Sequence, residues 1–345
     1  MKELRDWFQK NKREFPWREE RTPYKVWVSE IMLQQTRASV VIPYFLRWLA
    51  LFPDVRALAE ASIETVIKAW EGLGYYSRAR NLHAGAKEIV AKFQGEIPSS
   101  REDLESIRGL GPYTVGAILS FGFQQKAAAV DGNVTRVVAR YFCIEEDVCK
   151  TDVKRKIQKR AEELLDLNEP WVSAEALIEL GATLCTPKPR CEVCPLQKGC
   201  SAYQQNKAEA LPIKKQEVKT LELIRSVAII EVDGKILLRK GEAGKVMADL
   251  YEFPYFEMGK ERWPQKKILE TIQRELGLEV EFVEKLPEVK HTFTRYKAYL
   301  YPIRYQAKWL QDMKSYSWVP IEELARLPFS SGHRKILLFL EENKK

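Results

Sequence analysis

The sequence predicts a multidomain protein in which an all-α domain is followed by an α+β domain. The chain has 345 residues, more than one domain of ~150 residues accommodates. Residues 1–200 repeat apolar side chains at intervals of three and four, which is typical of amphipathic helices. From residue 222 onward, short β-branched runs alternate with turn signals. The polar residues 201–221 separate these regions, and we expect a linker there.

Turn residues divide both domains into elements. In the α+β domain, residues 222–345, Asp233-Gly234 predicts a hairpin because both positions tolerate positive φ. Strands are also predicted near 279–284 and 296–305, and helices near 264–276 and 333–342. In the helical domain, Trp27 and Trp70 are predicted to be core residues.

Composition narrows the functional classes. The chain is 45% hydrophobic and 30% charged, as expected of a globular protein and not of a disordered one. It has no apolar run of the ~18 residues that a membrane helix needs. The N-terminus is too charged for a secretory signal, so we expect a cytoplasmic, nucleoid-associated protein.

The positive charge is concentrated in one part of the sequence. The net charge of +8 by itself favours no partner strongly. Residues 185–220, however, carry seven Lys and Arg against three Asp and Glu, and Lys188, Arg190 and Lys198 lie among clustered cysteines. This region is therefore a candidate phosphate-binding surface. The basic run 154–160 has Glu162 and Glu163 beside it and is better explained as a solvated helix face.

Four of the six cysteines lie within 16 residues, at Cys185, Cys191, Cys194 and Cys200. Four thiolates this close can hold one tetrahedral zinc ion or one iron–sulfur cluster, and they could also be unligated thiols. Zinc sites more often use two short Cys pairs, whereas here one C-x2-C pair has a longer arm on each side. The spacing favours a [4Fe–4S] cluster in residues 185–200.

Residues 104–121 predict two helices joined by a tight glycine turn. Gly109 and Gly111 leave backbone N–H groups uncovered, and Pro112 suits the first position of the second helix. The N-terminus of that helix would then face an anion, as in a helix-hairpin-helix phosphate clamp. An ordinary helix–turn–helix corner is the alternative.

Two carboxyl groups have contrasting surroundings. Glu30 is the only charged residue between Lys25 and Arg37, and burial among its apolar neighbours would raise its pKa. Asp131 precedes Gly132 and a predicted helix, so it reads as an N-cap whose pKa the helix N-terminus keeps low.

Longer motifs in this sequence resemble those of a known family. They are Phe15-Pro16-Trp17-Arg18, Val26 to Thr36, Gly72-Leu73-Gly74-Tyr75-Tyr76-Ser77-Arg78, and Val130-Asp131-Gly132-Asn133-Val134. Together with the cysteines, they are similar to helix-hairpin-helix DNA glycosylases with an iron–sulfur cluster, which include endonuclease III. The match is closest to the adenine DNA glycosylases of the MutY type, in which a Nudix-like domain follows.

The resemblance implies an activity and catalytic roles. The family excises adenine mispaired with 8-oxoguanine or guanine after flipping it out of the duplex. By resemblance, Glu30 protonates adenine at N7, Asp131 stays ionised and stabilises or captures C1′, and Asn133 supports it by hydrogen bonding. Tyr113 stands where bifunctional relatives have a Lys that forms a Schiff base, so a monofunctional glycosylase is implied.

The resemblance also assigns contacts with DNA. Trp17, Arg18, Leu33 and Glu175 match positions that line the adenine pocket. A surface helix position is an equally weighted alternative for Glu175. Gln35 and Tyr75 match residues that enter the base stack near the lesion.

The C-terminal domain resembles a Nudix hydrolase that has lost its catalysis. Residues 273–278 keep the frame of the Nudix helix without its paired Glu. In the family this domain reads 8-oxoguanine through a loop with the pattern His-x-Phe-Ser-His. Here the loop supplies Phe293 and Thr294, and Arg295 replaces the second His. The first cysteine gap also departs from the family, with five residues where six are usual.

The expected partner is double-stranded DNA with an A:8-oxoguanine or A:G mispair. We expect the protein to be a monomer and to have no membrane partner. Two alternatives are an endonuclease III-type glycosylase/lyase for oxidised pyrimidines and a non-catalytic DNA-binding or redox-sensing iron–sulfur protein. Tyr113 and the second domain argue against the first alternative. The presence of both Glu30 and Asp131 argues against the second.

Overall fold

The computed structural model describes residues 1–215, 220–242, 247–259, 262–293 and 295–342. The chain forms two compact units, and each is described here by itself. The first unit comprises Met1–Glu60 and Asn81–Glu217, and the second comprises Ala61–Arg80 and Val218–Lys345. The predicted class, a helical part followed by a mixed part, is confirmed.

The boundary of the units differs from the predicted one at residues 61–80. These residues were expected in the helical domain, but they belong to the second unit. The physical reason is a set of polar contacts with C-terminal residues, among them Arg334 Nε donating to Glu71 Oε1 at 2.7 Å. Apolar periodicity does not reveal such contacts.

The part of the chain before residue 205 is helical where it has regular structure. Its helices are α1 (Lys2–Asn11), α2 (Pro16–Glu19), α3 (Pro23–Leu33), α4 (Ala38–Leu51), α5 (Val55–Glu60), α6 (Ile63–Ala69), α7 (Ser77–Phe93), α8 (Arg101–Glu105), α9 (Pro112–Ala117), α10 (Gly132–Tyr141), α11 (Thr151–Glu163), α12 (Pro170–Thr183) and α13 (Ser201–Gln204). A π-helical turn, Ile118–Gly122, extends α9. Trp27 in the first unit and Trp70 in the second are buried, as predicted.

The predicted linker, residues 201–221, is partly folded onto the first unit. Ala202 and Leu211 are buried. Arg140 Nε donates to the Leu211 carbonyl at 3.0 Å, and Val148 N donates to the Ile213 carbonyl at 3.1 Å. A few apolar residues and backbone hydrogen bonds fix this segment, so its polar composition was a poor guide. Residues 216–219 lie outside the described part of the chain.

The second unit contains a mixed sheet. Its strands are β1 (Leu221–Val232), β2 (Lys235–Lys240), β3 (Tyr251–Glu252), β4 (Tyr255–Met258), β5 (Val280–Lys285), β6 (Val289–Phe293), β7 (Tyr296–Ala307) and β8 (Ser317–Pro320). The main order is β3-β2-β1-β7-β5, with β1 and β7 parallel. Two further helices are α14 (Gln265–Leu276) and α15 (Ser331–Glu342).

Side-chain alternation along β1 builds two cores, one on each face of the sheet. Val227 and Ile229 join the cluster that contains Ile336 of α15. The intervening Ala228 and Ile230 join the cluster with α14. The predicted hairpin is confirmed, with φ of 48° at Asp233 and 69° at Gly234. No helix among the described residues is both long and apolar enough to cross a bilayer.

Candidate active site

A cavity of about 840 Å³ opens in the first unit between the ends of several helices. It brings together residues that the sequence separates by up to 169 positions, from Arg13 to Ala182. The predicted residues among its lining are Trp17, Arg18, Glu30, Leu33, Gln35, Tyr113, Asp131, Asn133 and Glu175. Trp17 stacks on Phe15 with a ring separation of 4.7 Å, so aromatic faces form part of the wall. Gln35 follows α3 with φ of 58° and is exposed at the mouth.

Glu30 lies on the buried face of α3. Desolvation by burial raises the pKa of its carboxyl from 4.5 to about 7, opposed by the hydrogen bond from the Tyr113 hydroxyl to Oε2. The nearby Glu175 and Asp131 raise the pKa further, because a second negative charge disfavours ionisation of the first. The elevated pKa expected from the apolar sequence context is therefore found. A carboxyl with this pKa can donate a proton near neutral pH.

Asp131 caps α10. Its Oδ1 accepts from Val134 N at 2.7 Å and its Oδ2 from Asn133 Nδ2 at 2.8 Å. The N-cap geometry agrees with the sequence. The expectation that the helix N-terminus keeps the pKa of Asp131 low is wrong. Desolvation raises that pKa and outweighs the hydrogen bonds from Val134 and Asn133, which lower it.

A hydrogen-bonded chain of side chains supports Asp131. Asn133 Oδ1 accepts from Arg136 Nη2 at 2.9 Å. The same guanidinium donates to the carbonyls of Gly181 and Cys185, both at 2.7 Å. Asn133 is thereby held with its amide nitrogen toward Asp131. Sequence reasoning did not find Arg136, although its spacing of three from Asn133 places both on one helix face.

Two buried glutamates are paired with three more exposed arginines along one wall. Glu175, which is 6% exposed, accepts from Arg18 Nε at 2.6 Å and from Arg21 Nη2 at 2.8 Å. Glu179 is fully buried and accepts from Arg13 Nε at 2.5 Å and Arg18 Nη2 at 2.8 Å. Glu175 is therefore a cavity residue and not a surface one. The i, i+4 spacing places Glu179 on the same face of α12 as Glu175, but nothing in the sequence pairs Glu179 with Arg13 or Glu175 with Arg21.

The glycine turn at 104–121 has the predicted form, with Gly111 as N-cap and Pro112 opening α9. Helix α8 ends at Glu105, so the turn is longer than the motif suggested. Gly109 has φ of +87°, and a Cβ there would lie 2.6 Å from Asn81 Cβ. Gly111 is exposed, with open space where its Cβ would point. Gly109 and Gly111 are not among the cavity-lining residues and are exposed to solvent, whereas Tyr113 and Phe121 of the same segment line the cavity.

The four clustered cysteines line one small cavity of about 30 Å³ with Arg140. Arg140 Nη1 lies 3.4 Å from Cys185 Sγ and donates to the Thr186 carbonyl at 2.6 Å. Burial raises the pKa of the thiols of Cys191, Cys194 and Cys200, and charge on the neighbouring thiols raises it further. Among the described residues, no three Cys, His, Asp or Glu side chains converge closely enough for a single metal ion. The four thiols and Arg140 therefore surround one common space, and four thiolates are a donor set that an iron–sulfur cluster or a zinc ion takes.

The second unit has its own pocket of about 280 Å³. It is lined by Gly72 to Tyr76, Met247, His291 to Phe293, Ser330 and Ser331. Tyr75 and Phe293, which the sequence placed near the lesion, therefore share one pocket. Thr294 lies outside the described residues.

The basic residues fall into two groups. Lys188, Arg190 and Lys198 are exposed on the cysteine loop. In α11, by contrast, Lys156 pairs with Glu146 and Arg160 with Glu163, both at 2.6 Å. This supports the interpretation of the 154–160 run as a solvated helix face.

Known protein families match the helical part and the mixed α+β part of the chain separately. Residues 28–165 match the family of HhH-GPD superfamily base excision DNA repair proteins, and residues 226–338 match the NUDIX domain family. The chain is 32% identical to the adenine DNA glycosylase of Mus musculus, covering 99% of this chain and 78% of the mouse protein. It is 33% identical to that of Buchnera aphidicola, covering 84% and 80% of the two chains.

Solved structures resemble the helical part. A thermostable thymine-DNA glycosylase superposes with a TM-score of 0.54 at 26% identity, over 59% of this chain and 94% of that one. A non-covalent endonuclease III–DNA complex shares the fold, with a TM-score of 0.50 at 22% identity over the same fractions. On its similarity to the mouse and bacterial proteins, which covers most of each chain, the chain belongs to the adenine DNA glycosylase family of helix-hairpin-helix base excision repair proteins.

Proposed function

We propose that this protein hydrolyses the N-glycosidic bond of adenine mispaired with 8-oxoguanine or guanine in DNA, leaving an abasic site. One observation carries the proposal. Glu30, whose pKa burial raises to about 7, shares a cavity with Asp131. Burial raises the pKa of Asp131 as well, but hydrogen bonds from Val134 and Asn133 and the charge of Arg136 act in the other direction and stabilise its carboxylate form. A carboxylic acid beside a carboxylate is what glycoside hydrolysis requires.

The mechanism assigns one role to each group. The bond between C1′ and adenine breaks and its electrons pass to the base, which takes up a proton from Glu30. Asp131 faces the positive charge that develops at C1′ and stabilises it. Water then adds to C1′ and gives up a proton, which restores the acid form of Glu30 by way of solvent, so the sum is hydrolysis. Asn133 and Arg136 fix the orientation of Asp131. Trp17, Arg18, Leu33 and Glu175 surround the flipped base.

The reaction stops at the abasic site because the cavity offers Tyr113 and no lysine among its lining residues. A phenol does not form a Schiff base. The pKa of Tyr113 lies well above 10 owing to burial and to Glu30, so its hydroxyl remains a hydrogen-bond donor to Glu30. Borohydride added during turnover should trap no enzyme–DNA adduct. Efficient trapping would favour the endonuclease III-type alternative.

The base opposite adenine is proposed to enter the pocket of the second unit. Tyr75 supplies an aromatic face that is 40% exposed, available to wedge between bases. Phe293 and His291 stack at 5.4 Å on the other side, and Thr294 and Arg295 continue from them. Gly109 and Gly111 would contact the phosphate backbone.

We propose a [4Fe–4S] cluster held by Cys185, Cys191, Cys194 and Cys200. The cluster would neutralise the mutual repulsion of four thiolates and link the short turns of the loop, with no part in the chemistry. If the cluster is present, purified protein should contain about four iron atoms per chain. Cys194→Ser should lower that iron content. Cys143→Ser and Cys149→Ser are matched controls that should retain it. Iron bound equally by all variants would refute the assignment.

A labelled duplex with A opposite 8-oxoguanine tests the proposal as a whole. Strand cleavage only after alkali supports it. Cleavage of a thymine-glycol duplex without alkali supports the lyase alternative, and binding without either product supports a non-catalytic protein.

A further inference from the structure

The second unit contains a carboxylate that the glycosidic chemistry does not use. Glu71 accepts from Arg334 through Nε at 2.7 Å and Nη2 at 3.0 Å. It also accepts from the Phe329 backbone N–H at 2.9 Å and from Lys68 Nζ at 2.7 Å. Its side chain is 15% exposed. Four donors on one partly buried carboxylate make a strong charge-assisted node.

This node joins the two walls of the second unit's pocket. Glu71 directly precedes the wall from Gly72 to Tyr76, and Phe329 directly precedes the wall at Ser330 and Ser331. A parallel link runs through the Tyr76 hydroxyl, which accepts from Gly72 N at 3.3 Å and donates to the Phe329 carbonyl at 3.4 Å. The walls are therefore fixed to each other at their base.

The turn beside Glu71 needs such support. Gly72, Gly74 and Tyr75 have φ of 101°, 69° and 48°. Glycines restrict the backbone least, and a non-glycine residue at positive φ is not held there by its own preference. Contacts outside the turn must therefore determine where the Tyr75 ring lies.

We infer that Glu71 is a positioning residue that fixes the width of this pocket and thereby sets the preference for 8-oxoguanine over guanine opposite adenine. The inference rests on the proposed function, which places that base in the pocket. The two bases differ by an oxygen at C8 and a hydrogen at N7. A site that distinguishes them must hold its walls to within about 0.5 Å. Glu71 and Arg334 provide that constraint without touching the base.

The test is a double-mutant cycle on the full-length protein with Glu71→Gln, Arg334→Gln and both together. Single-turnover adenine excision is measured opposite 8-oxoguanine and opposite guanine, at saturating enzyme. Each single variant should lose about tenfold in the ratio of the two rates. The double variant should lose no more than either single one, and Arg334→Lys should recover part of the ratio. Arg304→Gln, which breaks the 2.6 Å contact with Glu284 elsewhere in the same unit, is the matched control and should keep the ratio.

The outcomes separate this inference from the proposed function. If the unmodified protein excises no adenine opposite either base, the proposed function fails. If it discriminates normally and the variants keep its ratio within about twofold, the positioning role of Glu71 is overturned. A lower unfolding temperature with both rates reduced equally also overturns it, because Glu71 would then serve stability alone.

Discussion

At the residue scale, the account depends on the protonation of Glu30. Its pKa of about 7 means that the acid form is lost as pH rises through neutrality. Because adenine must be protonated as it leaves, the single-turnover rate should fall about tenfold per pH unit above pH 7. A pH–rate profile from 6 to 9 checks this. A flat profile, with chemistry still rate-limiting, would remove Glu30 from the acid role.

The same pKa has a consequence for stability. Below pH 4.5 the Glu30 carboxyl is protonated in both folded and unfolded states. Between pH 4.5 and 7 it ionises only when unfolded, so stability falls as pH rises across that window. Above pH 7 the cost approaches ~3 kcal/mol. Glu30→Gln should therefore raise the unfolding midpoint at pH 8 and leave it unchanged at pH 4, while excision is lost. The difference in unfolding midpoint between Glu30→Gln and the parent should thus be larger at pH 8 than at pH 4. A smaller difference at pH 8 would contradict the raised pKa of Glu30.

Asp131 offers a separate test of charge. Asp131→Asn keeps the size of the side chain and can still accept from Val134 N, so α10 should remain capped. The charge facing C1′ is removed, and we expect the excision rate to fall by ~10³-fold or more with duplex affinity retained. Excision rate and dissociation constant are measured on the same duplex. A near-normal rate would take Asp131 out of the mechanism.

At the element scale, the two glycines of the hairpin make a matched pair. Gly109→Ala should destabilise the protein by about 1–3 kcal/mol, because of its positive φ and the 2.6 Å approach to Asn81. Gly111→Ala has neither problem and should change stability by less than about 1 kcal/mol. Its methyl group would nevertheless cover the N–H groups at the start of α9, so its DNA affinity should fall. Thermal unfolding and duplex binding measure the two effects. Equal DNA affinity of Gly111→Ala and the parent would argue against a phosphate contact.

The elements themselves were predictable where one periodicity dominated. Strand β1 was predictable from its continuous apolar run, which both faces of the sheet bury. Its hairpin follows from Asp233-Gly234, and helices α14 and α15 follow from helical spacing. Helix α8 was not predicted accurately, because it ends by local capping at Ser106 and not by a change in hydrophobic pattern.

The candidate site shows a similar limit. Glu30 was identifiable because it is a lone charge in an apolar run. The position of Asp131 before a helix predicted only an N-cap, and its place in the site came from the resemblance of residues 130–134 to a family motif. Glu179 and Arg13 were not, since their pairing joins α12 to a segment some 160 residues earlier in the chain. The predicted direction of the pKa shift of Asp131 was wrong, because the sequence indicates that Asp131 caps a helix but not how deeply it is buried.

At the scale of the whole molecule, the concentration of charge predicts where DNA is held. Replacing Lys188, Arg190 and Lys198 together by Gln should weaken binding to every duplex alike and lower the slope of log K against log salt by about 3. The control replaces Lys156 and Arg160, which are paired with Glu146 and Glu163, and should leave the slope nearly unchanged. Salt titrations of binding measure both. An equal effect of the two sets would show that only net charge matters.

The division of the molecule was the least accessible feature from sequence. Residues 61–80 are helical and periodic, so they resemble the rest of the N-terminal half. Their membership of the second unit depends on Glu71, Lys68 and Tyr76 finding polar partners more than 240 residues later. Local patterns carry no information about pairs at that distance.

The central claim is that a protonated Glu30 and an ionised Asp131 together release adenine by hydrolysis. The most direct measurement is single-turnover release of free adenine from an A:8-oxoguanine duplex by the parent, Glu30→Gln and Asp131→Asn proteins, with strand scission assayed before and after alkali. The account predicts adenine release by the parent alone, with scission only after alkali. Adenine release at comparable rates by either variant, or scission by the parent without alkali, would contradict it.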